Sequence, residues 1–392
     1  MSAGFVQLEP YIRGKKKIEN PNIVTVQKCI RHFDLPKAGK DNSHATFFEM
    51  FGSLTLGETS KADLLTEFHD LLVTDLGLDQ NRIVLSVFGG DIVCGKHFEK
   101  DFIAEQTWKN LGYKAEQIFI GDASNTFWFQ GGNNLDDQTK GSPFDERLCG
   151  YQTELFYDLQ LESCGNNCGP FCDCSRWLEI GNNLDIRYEY IPETNQFNTL
   201  KVVSTETVAG VERLLAAKTN KKSIWELDEY SAFFSQCTEF GITDSEQQNI
   251  ILDRLRALLF LSSEGLPTPG QNGRARIVKK LLRTALSQIY FTGFEKEYIS
   301  RVIHSLSEEL VTVYSKEYPE LLDARQDLIK NILEYNDVYE KSILHAKASI
   351  KNAILRGEIK SIGKKELFAF RKNLGIPSFL VKKYFSTHIQ DK

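Results

Sequence analysis

Three short stretches decide the fold prediction for this chain: QKCIR at residues 27–31, HATFFEM at residues 44–50 and GVER at residues 210–213. The first ends a β-like run with an arginine, the second is an aromatic and acidic strand, and the third is a turn. A guanidinium is always charged and donates paired hydrogen bonds, which suits the oxygens of a polyphosphate. Together the stretches contain the parts needed to hold a bent ATP in one site.

The chain before about residue 225 mixes strand and helix patterns. Ser60 precedes an acidic third position and apolar residues three and four apart, which predicts a capped helix. Residues 82–88, RIVLSVF, are apolar and are followed by two glycines, which predicts a strand. We predict an α+β domain with a mainly antiparallel sheet over residues 1–225. Shorter strand patterns lie at residues 117–120, 176–180 and 200–203. Asn/Gly-rich loops are predicted around residues 131–134 and 166–167.

The rest of the chain is helical in pattern. A Pro- and Gly-rich stretch, LPTPGQNG at residues 266–273, predicts a loop within it. We predict an all-helical domain over residues 226–392. Apolar residues recur at the spacing of amphipathic helices in residues 250–261, 277–290, 298–313 and 321–355.

Composition is that of an ordinary globular chain, with 41% hydrophobic and 26% charged residues. No run is long enough to cross a bilayer, and the first residues lack an apolar segment with a cleavage site. These features predict a cytoplasmic protein with no membrane partner. Between residues 341 and 392, ten Lys and two Arg oppose three acidic residues, a net charge of +9 in a chain of net charge −6. This basic segment fits either a nucleic-acid surface or a solvated helical face.

Four cysteines are clustered in an Asn/Gly loop: Cys164, Cys168, Cys172 and Cys174. Four thiolates bind zinc tetrahedrally, and a zinc ion would stabilise a loop that has little core of its own. The spacing differs from the usual pair of Cys-x-x-Cys motifs. Structural zinc, free thiols and an iron–sulfur cluster therefore all remain open.

The order and spacing of these stretches resemble the catalytic domain of alanyl-tRNA synthetase, a class II aminoacyl-tRNA synthetase. Residues 27–50 resemble its second signature motif, and residues 210–213 its third. The resemblance runs from about residue 3 to about residue 377. It implies a class II synthetase-like antiparallel sheet with flanking helices, followed by a helical domain like that family's tRNA-recognition domain. Further matching stretches are NTFW at residues 125–128, CGYQTELFYD at 149–158, WLEIGN at 177–182 and RARIVKKLLR at 274–283.

The resemblance implies roles in ATP binding. Arg31 matches the arginine on the α-phosphate, Phe48 the aromatic residue that stacks on adenine, and Arg213 the arginine that caps adenine and contacts the γ-phosphate. Magnesium is expected with the triphosphate. The implied ATP-binding residues also include His44, which is expected near a phosphate. Glu49 and Glu212 are expected either to orient the arginines or to help hold Mg²⁺. Arg31 and Arg213 are the expected catalytic residues.

The amino-acid pocket implied by the resemblance departs from the family in several positions. Glu206 stands where an aspartate holds the substrate ammonium, Val208 where a glycine is usual, and Leu184 where a smaller valine is usual. Asp185 replaces an aromatic residue. Several such changes reshape a pocket, and one methylene shifts selectivity by about 10–200-fold. The expected substrate is alanine, glycine or a relative, and the expected amino-acid-binding residues are Trp128, Asn182, Leu184, Glu206 and Val208.

Other departures concern the acceptor. The family's first signature motif, editing domain and terminal oligomerisation domain are expected to be missing. Gly273 and Lys372 occupy the positions of an asparagine and an aspartate that read a G·U pair in alanine tRNA. Glycine has no side-chain donor, and lysine cannot accept a hydrogen bond. The acceptor is therefore either a tRNA acceptor stem, held at its phosphates by the basic helical domain, or a non-tRNA group such as a carrier-protein thiol or a biosynthetic amine.

We predict a ligase that activates a small amino acid with ATP as an aminoacyl adenylate, with release of pyrophosphate. Two alternatives remain open. One is a conventional minimal alanine–tRNA ligase, and the other is a non-catalytic ATP-binding regulator or interaction module. The retained Arg31, Phe48, Trp128 and Arg213 favour catalysis, whereas the altered pocket and the missing first motif favour the regulator.

Overall fold

A computed structural model of the chain describes residues 4–17, 19–57, 59–132, 146–172, 174–293 and 295–386. These residues form two compact units. The first unit comprises residues 1–31, 41–43 and 47–227, and the second comprises residues 32–40, 44–46 and 228–392. The loop predicted around residues 131–134 lies partly outside the described residues, since Asn133 and Asn134 are among those not described.

A mostly antiparallel sheet forms the first unit and, over the described residues, has eight strands. They are β1 (Asn22–Ile30), β2 (Phe47–Leu56), β3 (Ile83–Phe88), β6 (Ile118–Gly121), β7 (Phe127–Phe129), β8 (Arg147–Asp158), β9 (Trp177–Ile191) and β10 (Gln196–Gly210). A separate hairpin joins β4 (Asp91–Val93) to β5 (Lys96–Phe98). The sheet order is β1-β2-β10-β9-β8-β3-β6, β7 pairs with β8, and the β3–β6 pair is parallel. The predicted α+β class is confirmed.

Five helices flank this sheet within the described residues: α1 (Glu9–Ile12), α2 (Lys61–Asp70), α3 (Phe102–Asn110), α4 (Ala123–Thr126) and α5 (Val211–Lys218). The predicted start of α2 is confirmed, because the Ser60 side chain accepts a hydrogen bond from the Asp63 N–H. Such a cap satisfies a backbone donor that the first helical turn leaves without a partner. Asp101 caps α3 in the same way, by accepting from Ala104.

The second unit is helical throughout its regular elements. They are α6 (Ser231–Glu239), α7 (Ser245–Ser263), α8 (Gly273–Thr292), α9 (Lys296–Tyr314), α10 (Glu320–Leu355), α11 (Lys364–Asn373) and α12 (Ser378–Tyr384). The four predicted helices correspond to α7 to α10, while α11 and α12 are too short to give a clear apolar period. Among the described residues, every helix is too short or too polar to cross a membrane.

Strand register brings alternate residues of several strands onto one face of the sheet. Leu54 of β2 pairs with Glu206 of β10, Glu206 pairs with Leu184 of β9, and Leu184 pairs with Gln152 of β8. Paired residues share a face, and residues two apart on a strand also share it. The sheet therefore gathers, on a single surface, residues that are far apart in sequence.

A β-bulge in β9 adds one more residue to that face. Leu155 pairs with Gly181 but Phe156 pairs with Glu179, so Ile180 is an extra residue in β9. Such an insertion re-aims the side chains that follow it. As a result, the Glu179 carboxylate accepts a hydrogen bond of 3.2 Å from the Asn182 side-chain amide.

Replacement of Gly150 by alanine should destabilise the first unit. A Cβ at Gly150 would lie 1.9 Å from the Asp185 carbonyl oxygen, so the backbone must move at a second bulge between β8 and β9. We expect a loss of about 3 kcal/mol, typical of severe overpacking. Urea unfolding followed by tryptophan fluorescence reports on the first unit, which contains all four tryptophans.

The matched control for Gly150 is Gly52→Ala in the same sheet. Its Cβ would make contacts of 3.5 Å or more, which are ordinary van der Waals distances. Gly52→Ala should change stability little. Equal losses in the two variants would contradict the steric explanation.

Candidate active site

A small cavity lies on the face of the sheet described above. Its volume is about 270 Å³, just below the range of about 300–1,000 Å³ that is usual for drug-sized ligands. Arg31 and all the residues predicted to bind the amino acid line it. The complete lining is Gly4, Phe5, Arg31, Met50, Trp128, Gln152, Glu154, Glu179, Asn182, Leu184, Glu206 and Val208.

Glu206 is the most deeply buried acidic residue of the lining, with 3% of its surface exposed. Burial raises the pKa of its carboxyl group to about 8, although the charge of Arg31 and a hydrogen bond from the Phe5 backbone N–H lower it. Removal from water penalises the ionised form, which is the physical cause of the increase. Glu206 is therefore mostly protonated at neutral pH until a cation approaches it.

The wall around Glu206 is tightly packed. A Cβ added to Gly4 would lie 2.5 Å from a Glu206 carboxylate oxygen, so glycine leaves room for this longer acid. Leu184 packs into an apolar cluster with Phe5 and Leu54. Val208 packs with Cys29 and Met50. Because both branched side chains are held by core residues, they form fixed walls of the cavity.

Arg31 lines the same cavity and brings positive charge to it. It directly follows β1, and its guanidinium carbon lies 4.9 Å from the centroid of the Phe48 ring on β2. This distance permits a cation–π interaction. Arg31, which is predicted to bind the α-phosphate, thus lies beside Phe48, which is predicted to stack on adenine.

Arg213, near the start of α5, is held by the bulged part of β9. Its Nη1 donates to Glu179 Oε2 at 2.7 Å and to the Glu179 carbonyl oxygen at 3.0 Å. Its Nε donates to the Ser43 carbonyl oxygen at 3.0 Å. Three hydrogen bonds from one guanidinium fix its plane, so Arg213 presents a positioned positive charge.

Glu154 and Glu179 have opposite pKa shifts. Burial, followed by the charge of Glu179, raises the pKa of Glu154 to about 8. Burial also works against the ionised form of Glu179, but Arg213 and the Asn182 amide outweigh it and lower the pKa. The ionised form is therefore favoured on Glu179 and disfavoured on its neighbour Glu154.

The remaining predicted ATP ligands, His44, Glu49 and Glu212, are not among the residues that line the cavity. Glu212 is buried, and both its carboxylate oxygens lie 3.2 Å from the Glu49 backbone N–H, which donates to them. This interaction fixes the start of α5 to β2. His44 belongs to the second unit. The roles of these three residues in ATP or magnesium binding stay predictions.

Sequence reasoning overlooked the polar residues that complete the cavity: Gln152, Glu154 and Glu179. A usable signal existed for two of them, because Gln152 and Glu154 are two apart on one strand and must share a face. Glu179 gave no such signal. Its position depends on the bulge at Ile180, which the sequence pattern does not reveal.

The four loop cysteines come together in the structure. Their Sγ atoms all lie within 4.8 Å of one another, and Cys168 and Cys174 Sγ are 3.8 Å apart. A tetrahedral zinc ion with bonds of about 2.3 Å places its sulfur ligands about 3.8 Å apart. The donor set and its spacing therefore fit zinc. The indole N–H of Trp177 donates to Cys168 Sγ at 3.4 Å and connects the cluster to β9.

A mostly antiparallel sheet with flanking helices, whose face carries an arginine and three carboxyl groups around a small cavity, defines a class II synthetase-like domain. The family model for tRNA synthetases class II (A) matches residues 1–388. The chain therefore belongs to the class II tRNA synthetase (A) family.

Curated relatives of the chain are alanine–tRNA ligases. Those of Endomicrobium trichonymphae, Borrelia hermsii and Thermoanaerobacter sp. strain X514 are 27%, 26% and 28% identical and align with 97%, 96% and 97% of this chain. The alignments span 41%, 61% and 42% of the relatives' own lengths. The predicted resemblance to an alanyl-tRNA synthetase catalytic domain is confirmed. Apo S. aureus histidyl-tRNA synthetase is similar over 58% of this chain and 53% of that one, with 15% identity and a TM-score of 0.31, too low to support an argument.

Replacement of Glu206 by glutamine should change how stability depends on pH. The folded-state pKa of Glu206 is raised from 4.5 to about 8, so its stabilising contribution is complete below the ordinary value and is lost as pH rises through 8. The glutamine variant cannot ionise at this position and would lack this loss. The free energy of unfolding of Glu206→Gln, minus that of the parent, should therefore increase between about pH 5 and 8, by up to about 1.4 kcal/mol per pH unit.

The measurement is urea unfolding by tryptophan fluorescence at several pH values, with Glu193→Gln as the control. Glu193 is an exposed residue in the turn after β9. Its variant should track the parent at every pH. A stability difference for Glu206→Gln that is flat from pH 5 to 8 would show that Glu206 ionises normally.

Proposed function

We propose that the first unit activates a small amino acid with ATP, forming an aminoacyl adenylate and releasing pyrophosphate. One observation carries this proposal: Arg31 and the buried Glu206 face the same small cavity. An α-amino acid carries an ammonium and a carboxylate only a few ångströms apart. In the proposal, the ammonium ionises Glu206 and pairs with it, while the carboxylate lies toward Arg31, because a buried charge requires an opposite partner.

The reaction requires little from the protein beyond positioning and charge. An ionised carboxylate oxygen of the amino acid attacks the α-phosphorus, and a new oxygen–phosphorus bond forms. The bond from the α-phosphorus to the bridging oxygen breaks, and pyrophosphate leaves with that electron pair. No proton is transferred, so no general base is needed. Arg31 would stabilise the charge that develops on the α-phosphate, an effect that is strong for preorganised donors.

The other ATP contacts follow from the same placement. Phe48 would stack on adenine, and Arg213 would contact the γ-phosphate from the orientation that Glu179 and Ser43 give it. Magnesium would neutralise the triphosphate when bound. Carboxylate oxygens suit this hard cation. Glu49 and Glu212 would either orient the arginines or help to hold magnesium.

The proposed amino acid is alanine, glycine or a relative of similar size. Leu184 and Val208 are branched, buried and held by core neighbours, so they leave little room beside Glu206. Trp128 closes the same space, with its ring 5.3 Å from that of Phe5 in an edge-on contact. The Asn182 side-chain amide donates a hydrogen bond to Glu179, and both residues line the same cavity. The proposed acceptor is the acceptor stem of a tRNA or the thiol of a carrier protein, bound through the basic helices of the second unit.

Arg31→Ala should reduce amino-acid-dependent ATP–pyrophosphate exchange by about 10²–10³-fold, the usual cost of removing one preorganised oxyanion donor. Exchange is measured with glycine, alanine, serine and β-alanine, and thermal melting checks that the variant is folded. The exposed Arg301, in α9, provides the control Arg301→Ala, which should exchange like the parent. Exchange in Arg31→Ala at the parental rate, or none in the parent with any amino acid, would overturn the proposed reaction.

We also propose that Cys164, Cys168, Cys172 and Cys174 bind one structural zinc ion. Protein purified without a metal-affinity tag should contain close to one zinc per chain, because four thiolates in this spacing form a complete tetrahedral site. Elemental analysis gives the content, and Cys172→Ser should lower it. Cys237→Ser is the control, since Cys237 is buried in α6 of the second unit and is not one of the four clustered cysteines. Iron in place of zinc, or four readily titrated thiols, would refute the assignment.

A further inference from the structure

Asn42 connects three segments of the first unit through its side chain and backbone. Its side-chain NH₂ donates to the Ser175 carbonyl oxygen at 2.8 Å and to the Lys222 carbonyl oxygen at 3.1 Å. Its own carbonyl oxygen accepts from the Ile224 backbone N–H at 3.0 Å. Both side-chain partners are acceptors, so only the NH₂ end of the amide can face them. No other residue type of this size offers two donors from one atom.

The backbone next to Asn42 also binds Arg213. The carbonyl oxygen of Ser43, the next residue, accepts from Arg213 Nε at 3.0 Å. The preceding carbonyl oxygen, that of Asp41, accepts from the buried Trp225 indole at 2.7 Å. Three successive carbonyl groups are thus fixed, and the last of them orients the arginine proposed to contact ATP. A displacement of this segment would move the acceptor of Arg213.

The Asn42 side chain also connects to the cysteine cluster. Ser175 directly follows Cys174, so the carbonyl group that Asn42 binds belongs to the chain leaving the four-cysteine loop. The cluster is also tied to Trp177 through Cys168. Two residues further along β9, Glu179 binds Arg213. The four-cysteine loop is therefore connected to Arg213 in two ways. One connection runs through Ser175, Asn42 and Ser43, and the other runs through Trp177 and Glu179.

We propose that Asn42 is a positioning residue that couples metal binding in the four-cysteine loop to the placement of Arg213. This inference rests on the proposed function, both for the zinc ion and for the role of Arg213 in binding ATP. A metal-bound loop holds Ser175 in place, Ser175 and Lys222 hold Asn42, and Ser43 then holds the guanidinium. When the metal is lost, the loop keeps little core of its own, and the Ser175 carbonyl is no longer fixed.

The experiment compares the parent, Asn42→Ala and Asn42→Asp, each with its zinc and after removal of zinc by a chelator. Aspartate has nearly the shape of asparagine but cannot donate, so it removes both hydrogen bonds without leaving a cavity. Two quantities are measured: the KM for ATP in pyrophosphate exchange, and hydrogen exchange at the Ile224 amide, which donates to Asn42. Zinc content is determined for every sample.

In the parent, zinc removal should raise the KM for ATP about tenfold and accelerate exchange at the Ile224 amide. Both Asn42 variants should retain their zinc and already show a similar increase in KM. Zinc removal should then change their KM by less than about twofold, since coupled residues give non-additive effects. A residue with a merely structural role would give additive effects instead.

The outcomes separate this inference from the proposed function. If zinc is present but its removal affects only residues 159–177 and leaves Ile224 and the KM for ATP unchanged, the coupling is wrong and the zinc assignment stands. If the parent contains no zinc, the zinc assignment and the coupling both fail. If the parent shows no pyrophosphate exchange, the proposed reaction fails, and the Ile224 amide still decides whether the loop and Asn42 are coupled.

Discussion

A buried carboxylate and a guanidinium share one small cavity, and this pairing is the constraint on which the site depends. Glu206 has 3% of its surface exposed, and its pKa rises to about 8 despite the nearby positive charge of Arg31. A buried acid in that state is stable as a neutral group and gains most when a cation arrives. The cavity is therefore suited to a ligand with an ammonium at one end and negative charge at the other.

The strand register of the sheet places the residues of this site on one face. Glu206, Leu184 and Gln152 lie side by side on three neighbouring strands. The bulge at Ile180 then adds Glu179, which holds Arg213. A one-residue slip in any of these strands would turn its side chains to the opposite face. The tight contact at Gly150 opposes such a slip between β8 and β9, since only glycine fits against the Asp185 carbonyl.

Much of the fold could be predicted from sequence, because long apolar periods specify helices and motif order specifies the family. The helices α7 to α10 and the strand β3 are such cases. The strands β9 and β10 are each fifteen residues long, whereas their sequence patterns predict only short strands, since polar residues such as Asn182 and Glu206 interrupt the apolar pattern. Those residues face a cavity that long-range pairing creates. The roles of Glu179 and Asn42 could not be predicted for the same reason, because their partners are backbone groups or residues far away in sequence.

The most direct test is a calorimetric titration of the protein at pH 7 with a non-hydrolysable alanyl- or glycyl-adenylate analogue, in two buffers of different ionisation enthalpy. If the ammonium ionises Glu206, binding should release about one proton per site, and Glu206→Gln should release almost none. Arg31→Ala should bind the analogue much more weakly. Failure to bind either analogue, or binding without proton release in the parent, would contradict a site built on Glu206 and Arg31.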